Sequence, residues 1–204
     1  MTIDGPLSAA TLIGIPITEA PAARLFAGLK IETEVARKLA ELALPLECYG
    51  ARLVPKSDIH LTLVPPWDEG HIGSAIKTLR IVASGFNSFL LTFEHLEYGP
   101  TLRHPRLLWA RCVAGSALKE LQAALMTAYG RTDTRPFRPH VTLARIPQNG
   151  RSAARKHPID QPLSLEQCVR SVELFESPAK GQSGYRVLVS FPLGAGEASE
   201  PGEL

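Results

Sequence analysis

A chain of 204 residues is long enough for one large domain or two small lobes. With 45% hydrophobic and 21% charged residues it reads as a soluble globular protein, and a net charge of only +2 argues against a generic polyanion binder. Cys48, Cys112 and Cys168 are odd in number, widely separated and without a Cys-x-x-Cys, which argues against a disulfide framework or a zinc knuckle and for a reducing compartment.

Residues 1–23 are small and apolar with three prolines, and read as an N-terminal extension with a short strand at Thr11–Ile15. No Lys or Arg precedes Arg24, so a secretory signal is not expected. No apolar run approaches the roughly 18 residues of a membrane span, and a cytoplasmic location is expected. Arg24–Ile31 predicts a strand, and Glu32–Leu44 a helix with Val35, Leu39 and Leu42 on one side. Arg52–Pro65 predicts a second strand. Pro66-Trp67-Asp68-Glu69-Gly70 is turn-rich, with Asp68 placed to cap a helix running to about Ser84. Phe89–Tyr98 and Arg106–Val113 predict strands. Ser116–Tyr129 predicts an amphipathic helix closed by Gly130, and Phe137–Ile146 another strand. Asn149–Pro162 reads as a polar, basic loop, and Leu165–Phe175 and Tyr185–Phe191 as paired strands. The Gly/Glu/Ser-rich residues 194–204 read as a flexible tail, leaving residues 24–193 as the folded domain.

Two of these strands carry the same tetrapeptide pattern. Ile59-His60-Leu61-Thr62-Leu63 and Pro139-His140-Val141-Thr142-Leu143 each place a His and a Thr two residues apart, with a proline close behind at Pro65 and Pro147. Alternate side chains of a strand share a face. Each strand therefore presents an imidazole and a hydroxyl on one side and Leu or Val on the other. A strand, a helix and then His-x-Thr occur twice: after Leu25-Phe26-Ala27 and after Leu108-Trp109-Ala110. Such a repeat predicts two similar lobes that face their motifs across a pseudo-twofold cleft.

Histidine titrates near neutrality, at about pH 6.5 unperturbed, so one imidazole can act as base while the other acts as acid. Phosphodiester transfer or the opening of a cyclic phosphate needs that pair. A threonine hydroxyl on the same face can donate to a phosphate oxygen. Arg145, five residues past His140, can clamp the phosphate in bidentate fashion. From Arg131 to Lys156 seven basic side chains stand against Asp133 alone, which concentrates positive charge around the second motif.

Blander readings compete with each of these. A lone His-x-Thr strand is ordinarily structural, and the arginine run can be a solvated face. Two histidines can bind a metal, but no Cys, Asp or Glu cluster lies beside either motif to complete a zinc site, so no metal or cofactor is expected. His71, His95, His104 and His157 lack such settings. Trp67 and Trp109 read as core or rim side chains, with Trp67 also a candidate for stacking a base.

The residues resemble the two-histidine (2H) phosphoesterases, and within them the LigT-like branch of RNA 2′,3′-cyclic phosphodiesterases, historically called 2′-5′ RNA ligases. The resemblance runs from Arg24 to Leu193. It rests on Arg24-Leu25-Phe26, His60-Leu61-Thr62-Leu63, Leu108-Trp109-Ala110, Pro136-Phe137-Arg138-Pro139-His140-Val141-Thr142-Leu143-Ala144-Arg145 and Ser171-Val172-Glu173-Leu174-Phe175-Glu176-Ser177. It implies a bilobal α+β fold, each lobe an antiparallel sheet with helices outside and the motifs lining the cleft between. It implies hydrolysis of an RNA-terminal 2′,3′-cyclic phosphate to a 2′-phosphate, with 2′-5′ ligation as the reverse reaction. His60 then protonates the leaving 3′-oxygen, His140 activates water, Thr62 and Thr142 hold phosphate oxygens, and Arg145, Phe137 and Trp67 bind substrate. The expected partners are RNA 3′ ends or nucleotides bearing that cyclic phosphate, met by a monomer. Where relatives continue the first motif with an aromatic-Leu-Gly stretch, this chain reads Val64-Pro65-Pro66-Trp67. That departure keeps open two alternatives: the same chemistry on a small cyclic nucleotide or 2′-5′ oligoadenylate, and a non-catalytic RNA-end-binding module.

Overall fold

The computed structural model describes residues 23–178 and 184–194. The strand expected at Thr11–Ile15 and nearly all of the expected tail lie outside them. In chain order the elements are β1 (Ala23–Lys30), α1 (Thr33–Glu41), β2 (Arg52–Leu53), β3 (His60–Glu69), α2 (Ile72–Ala83), β4 (Phe89–Thr101), β5 (His104–Cys112), α3 (Ser116–Ala128), β6 (His140–Arg145), α4 (Arg151–Lys156), β7 (Asp160–Val169), β8 (Ser171–Glu176) and β9 (Arg186–Pro192).

The strands hydrogen-bond in the order β7-β4-β5-β6-β3-β1-β8-β9, with β2 pairing the free end of β6, and all of these ladders are antiparallel. The order is a near-palindrome. β5–α3–β6 and β1–α1–β3 are the repeated units, and each ends in a His-x-Thr strand. Where a separate sheet in each of two lobes was expected, the main strand path is one sheet with two four-stranded halves. They meet where β3 pairs β6, and that ladder holds a single Cα pair, Leu61 with Val141. A side-chain clasp also joins the halves: Gln167 of β7 donates to the Lys30 carbonyl (3.1 Å) and accepts from the Glu32 amide (3.0 Å).

Alternation along the two central strands sets the layering. Leu61, Leu63, Val141 and Leu143 are at most 1% exposed and enter one continuous core. Helix α1 adds Val35, Ala36 and Leu39 to it, α2 adds Ala75, Leu79 and Ala83, and α3 adds Leu118, Leu121 and Leu125. The Tyr129 hydroxyl donates to the Ala75 carbonyl (2.9 Å), tying the end of α3 to α2. His and Thr are left for the opposite face.

Three local expectations differ from the structure. The Pro66–Glu69 segment is the continuation of β3, because its pairing with β1 runs on to Ala23 opposite Glu69. Asp68 therefore lies in a strand and does not cap α2; His71 holds the N-cap position, and its amide donates to the Glu69 carboxylate (2.8 Å). The basic segment after Asn149 is not all loop, since it holds α4 and the start of β7, where Pro162 faces His95 in register. Leu165–Phe175 is two strands, which part at Arg170 to opposite outer regions of the sheet.

Candidate active site

The single pair between Leu61 and Val141 fixes what lies across the seam. In antiparallel register one step either way, His60 comes opposite Thr142 and Thr62 opposite His140. Beyond Leu61 and Val141 the two strands do not continue to pair, so the imidazoles and hydroxyls form a diagonal set of four around a splayed gap.

The two histidines are held alike. His60 Nδ1–H donates to the Asp58 carbonyl (2.7 Å) and His140 Nδ1–H to the Arg138 carbonyl (2.7 Å), each two residues upstream. A carbonyl only accepts, so Nδ1 carries the proton and Nε2 is the nitrogen left for chemistry. Both pKa values lie below the ordinary histidine value, with burial the main cause. The charges of Arg145 and His140 lower His60 further, against the Asp58 carbonyl and carboxylate; the Arg138 carbonyl and Glu97 act upward on His140.

Their supports differ. Cα pairing sets Lys30 and Gly28 beside His60 and Thr62, and Arg111 and Trp109 beside His140 and Thr142. The counterpart of Trp109 is therefore Gly28 and not Phe26, two residues off the sequence alignment of the repeat. Trp109 stacks on His140, with ring centroids 3.8 Å apart at 26°. His60 instead packs among Phe26 (4.8 Å), Phe175 (5.5 Å) and the edge of Tyr185 (4.8 Å). Tyr185 and Phe175 carried no signal linking them to His60 in sequence, because β8 reaches β1, and β9 after Tyr185 reaches β8, only through tertiary pairing.

Arg145 lies an odd number of residues from His140, so a regular strand would aim it at the opposite face. The register slips by one between Trp109–Thr142 and Leu108–Ala144, which makes Leu143 the extra residue of a bulge. Leu143 and Ala144 are both buried, and Arg145, opposite Leu107, joins the Trp109 face. The same slip occurs at Leu63 in β3, and the two strands share the burial sequence half-buried, buried, half-buried, buried, buried, exposed. By that symmetry Pro65 occupies the place of Arg145, so the first half has no equivalent cation.

A cleft of ≈1140 Å³ opens at the gap, lined by Thr62, Pro65, Trp109, Phe137, His140 and Arg145. Arg106, Arg131, Arg135, Arg138 and Arg151 also line it, against Asp133 as the one acid, which is paired with Arg135 (2.8 Å). His60 is not on that wall; it is half-buried, two residues before Thr62 in β3. Thr142 is half-buried between Val141 and Leu143 and is likewise off the wall. Phe137 keeps a cleft position. Trp67 does not: it is 5% exposed, packs on Tyr129 (4.7 Å) and donates its indole N–H to Glu69 (3.0 Å). A buried ring with its polar edge satisfied is a core side chain, so Trp67 is no base-stacking platform. Among the described residues no helix is long and apolar enough to cross a membrane.

A family model described as the 2′-5′ RNA ligase superfamily matches residues 31–177. Among solved structures, TT0787 of Thermus thermophilus matches with a TM-score of 0.70 at 24% identity, covering 83% of this chain and 97% of that one. E. coli LigT in its apo form matches with a TM-score of 0.66 at 23% identity, covering 85% and 99%. Its complex with 3′-AMP matches with a TM-score of 0.65 at 21% identity, covering 84% and 98%. At these identities the likeness is one of fold. No curated protein matches the chain.

Proposed function

The chain belongs to the 2′-5′ RNA ligase superfamily of phosphoesterases, and from that premise we propose that it hydrolyses an RNA-terminal 2′,3′-cyclic phosphate to a 2′-phosphomonoester. The observation that carries the reading is the matched pair of imidazoles, each with Nδ1 tied to a carbonyl, on two strands that meet at one residue pair.

In this mechanism the cyclic phosphate sits in the gap between β3 and β6. His140 Nε2 takes a proton from water as its oxygen attacks phosphorus. The P–O3′ bond breaks, and His60 Nε2–H gives its proton to the departing 3′-oxygen. Thr62 and Thr142 donate hydroxyl hydrogens to the non-bridging oxygens, where charge grows in the transition state. Arg145 adds a charge-assisted clamp. With an RNA 5′-hydroxyl in place of water, the same groups would join RNA ends through a 2′-5′ bond. A second reading keeps the chemistry and changes the substrate to a small cyclic nucleotide or 2′-5′ oligoadenylate. Pro65 where the second half has Arg145, and Trp67 withdrawn into the core, favour keeping it.

The test is turnover of an oligoribonucleotide 2′,3′-cyclic phosphate in excess EDTA, with the product identified by ³¹P NMR. A 2′-phosphate is expected. His60→Ala and His140→Ala are each expected to slow turnover by about 10²–10⁴-fold. Turnover that survives both substitutions would sink the mechanism, and binding without turnover would make the protein a binding module.

A further inference from the structure

A second cavity, of ≈460 Å³, lies beside the cleft, lined by Glu94, Glu97, Arg111, Cys112, Phe137 and Arg138 among others. Phe137 and Arg138 line both spaces, so the two are neighbours across that short segment. Arg111 stands next to His140 in register, on the same face of the sheet. The cavity therefore begins one strand away from His140, on the side away from the β3–β6 seam.

Its chemistry is not that of the arginine-lined cleft. Arg111 faces two carboxylates, Glu94 at 3.4 Å and Glu97 at 3.6 Å, a loose ion pair. The 3.6 Å contact is made by its buried Nε–H, which reaches Glu97 only beyond hydrogen-bond distance, whereas buried donors ordinarily have a close partner. The pocket thus offers guanidinium donors and carboxylate acceptors side by side, next to an aromatic ring. Phosphate is repelled by two carboxylates; a flat ring with donors and acceptors along one edge is not. Single-stranded RNA bases are read in this way, stacked on aromatics and bonded along their edges.

We infer that this cavity seats the base of the terminal nucleotide and selects guanine. The inference rests on the proposed function, since it takes the phosphate to lie at His140. Guanine presents O6 and N7 as adjacent acceptors for Arg111, and N1–H and the 2-amino group as adjacent donors for a carboxylate. Uracil presents one N–H between two carbonyl oxygens and leaves one member of the Arg–Glu pair unmatched. Phe137 supplies the stacking surface. Arg111 and Glu94 are then the specificity-determining side chains, while Glu97 also acts on His140.

The experiment is calorimetric binding of guanosine 2′-monophosphate and uridine 2′-monophosphate to the wild-type protein, to Glu94→Gln and to Arg111→Lys. The two ligands share ribose and phosphate, so their ratio isolates the base. A good bidentate contact corresponds to roughly 5- to 150-fold discrimination. The wild type is expected to prefer the guanosine ligand by about fivefold or more, and each variant to bring the ratio close to one. A smaller wild-type preference, or a preference that survives both substitutions, overturns the inference. Opening of all four nucleoside 2′,3′-cyclic phosphates at equal rates would also overturn it while leaving the proposed function standing. A guanosine preference in binding without turnover would do the reverse.

Discussion

The proton on Nδ1 is the detail from which the chemistry of this site follows. Both histidines spend Nδ1 on a carbonyl two residues back, and both are held below the ordinary pKa chiefly by burial. In the free protein both rings therefore give up their proton more readily than an ordinary histidine. An acid–base pair works only when one ring is charged and the other is not, so kcat/KM is expected to follow a bell centred below pH 6.5, falling as pH rises. A bound phosphate anion raises both pKa values by charge attraction, so the bell for kcat is expected at higher pH than that for kcat/KM. Steady-state kinetics from pH 4.5 to pH 8 measure both profiles. A kcat/KM optimum above pH 7.5 would mean that other groups carry the proton. Folding obeys the same sign. A histidine whose folded pKa is depressed favours the folded state above its unfolded value, and that contribution is lost as pH falls below about 6.5.

The seating of β3 against β1 depends on close approach at Gly28. A Cβ built there would lie 2.4 Å from the Leu61 carbonyl oxygen, a backbone atom that cannot step aside. Gly28→Ala is expected to push β1 from β3 and to cost about 1–3 kcal/mol of stability, with a larger fractional loss of activity because His60 and Thr62 move with β3. Urea denaturation and turnover measured together check this; an alanine variant as stable and as active as wild type would show that β3 is not held in this way. The two His-x-Thr strands, the flanking β1 and β5 and the helix α3 were legible in the sequence because each pairs an apolar period with a clear stop. The course of β3 past Pro65 was not, since Pro66 and Gly70 look like turn residues until β1 is known to pair there. The arrival of Arg145 on the histidine face depends on a one-residue slip at Leu143, and nothing in local composition marks such a bulge. Trp67, the candidate for stacking a base, lies in the core while Trp109 lines the cleft, for a similar reason: which of two tryptophans reaches the cleft is decided by its pairing partner and not by its distance from a motif.

Taken together the fold divides its labour by charge. One half of the cleft wall carries Arg106, Arg131, Arg138, Arg145 and Arg151, and the chain outside Arg131–Lys156 is net acidic to compensate. An RNA strand leaving the terminal nucleotide would run along that wall, releasing counterions as it binds. Affinity for an oligonucleotide is therefore expected to fall with salt more steeply than affinity for a nucleoside 2′-monophosphate. With three or four phosphates engaged, the slope of log K against log salt is about −2 to −3. Fluorescence anisotropy across a salt series measures it; equal slopes for the two ligands would favour the small-nucleotide reading.

Everything above requires that His60 and His140 meet on one phosphorus atom. The ¹⁵N shifts of the two imidazoles, followed through a pH titration with and without a nucleoside 2′-monophosphate, read this out ring by ring. A shared phosphate is expected to raise both pKa values together and to leave Nδ1 protonated in both. If only one ring responds to the ligand, the two histidines do not serve the same phosphate and the account fails.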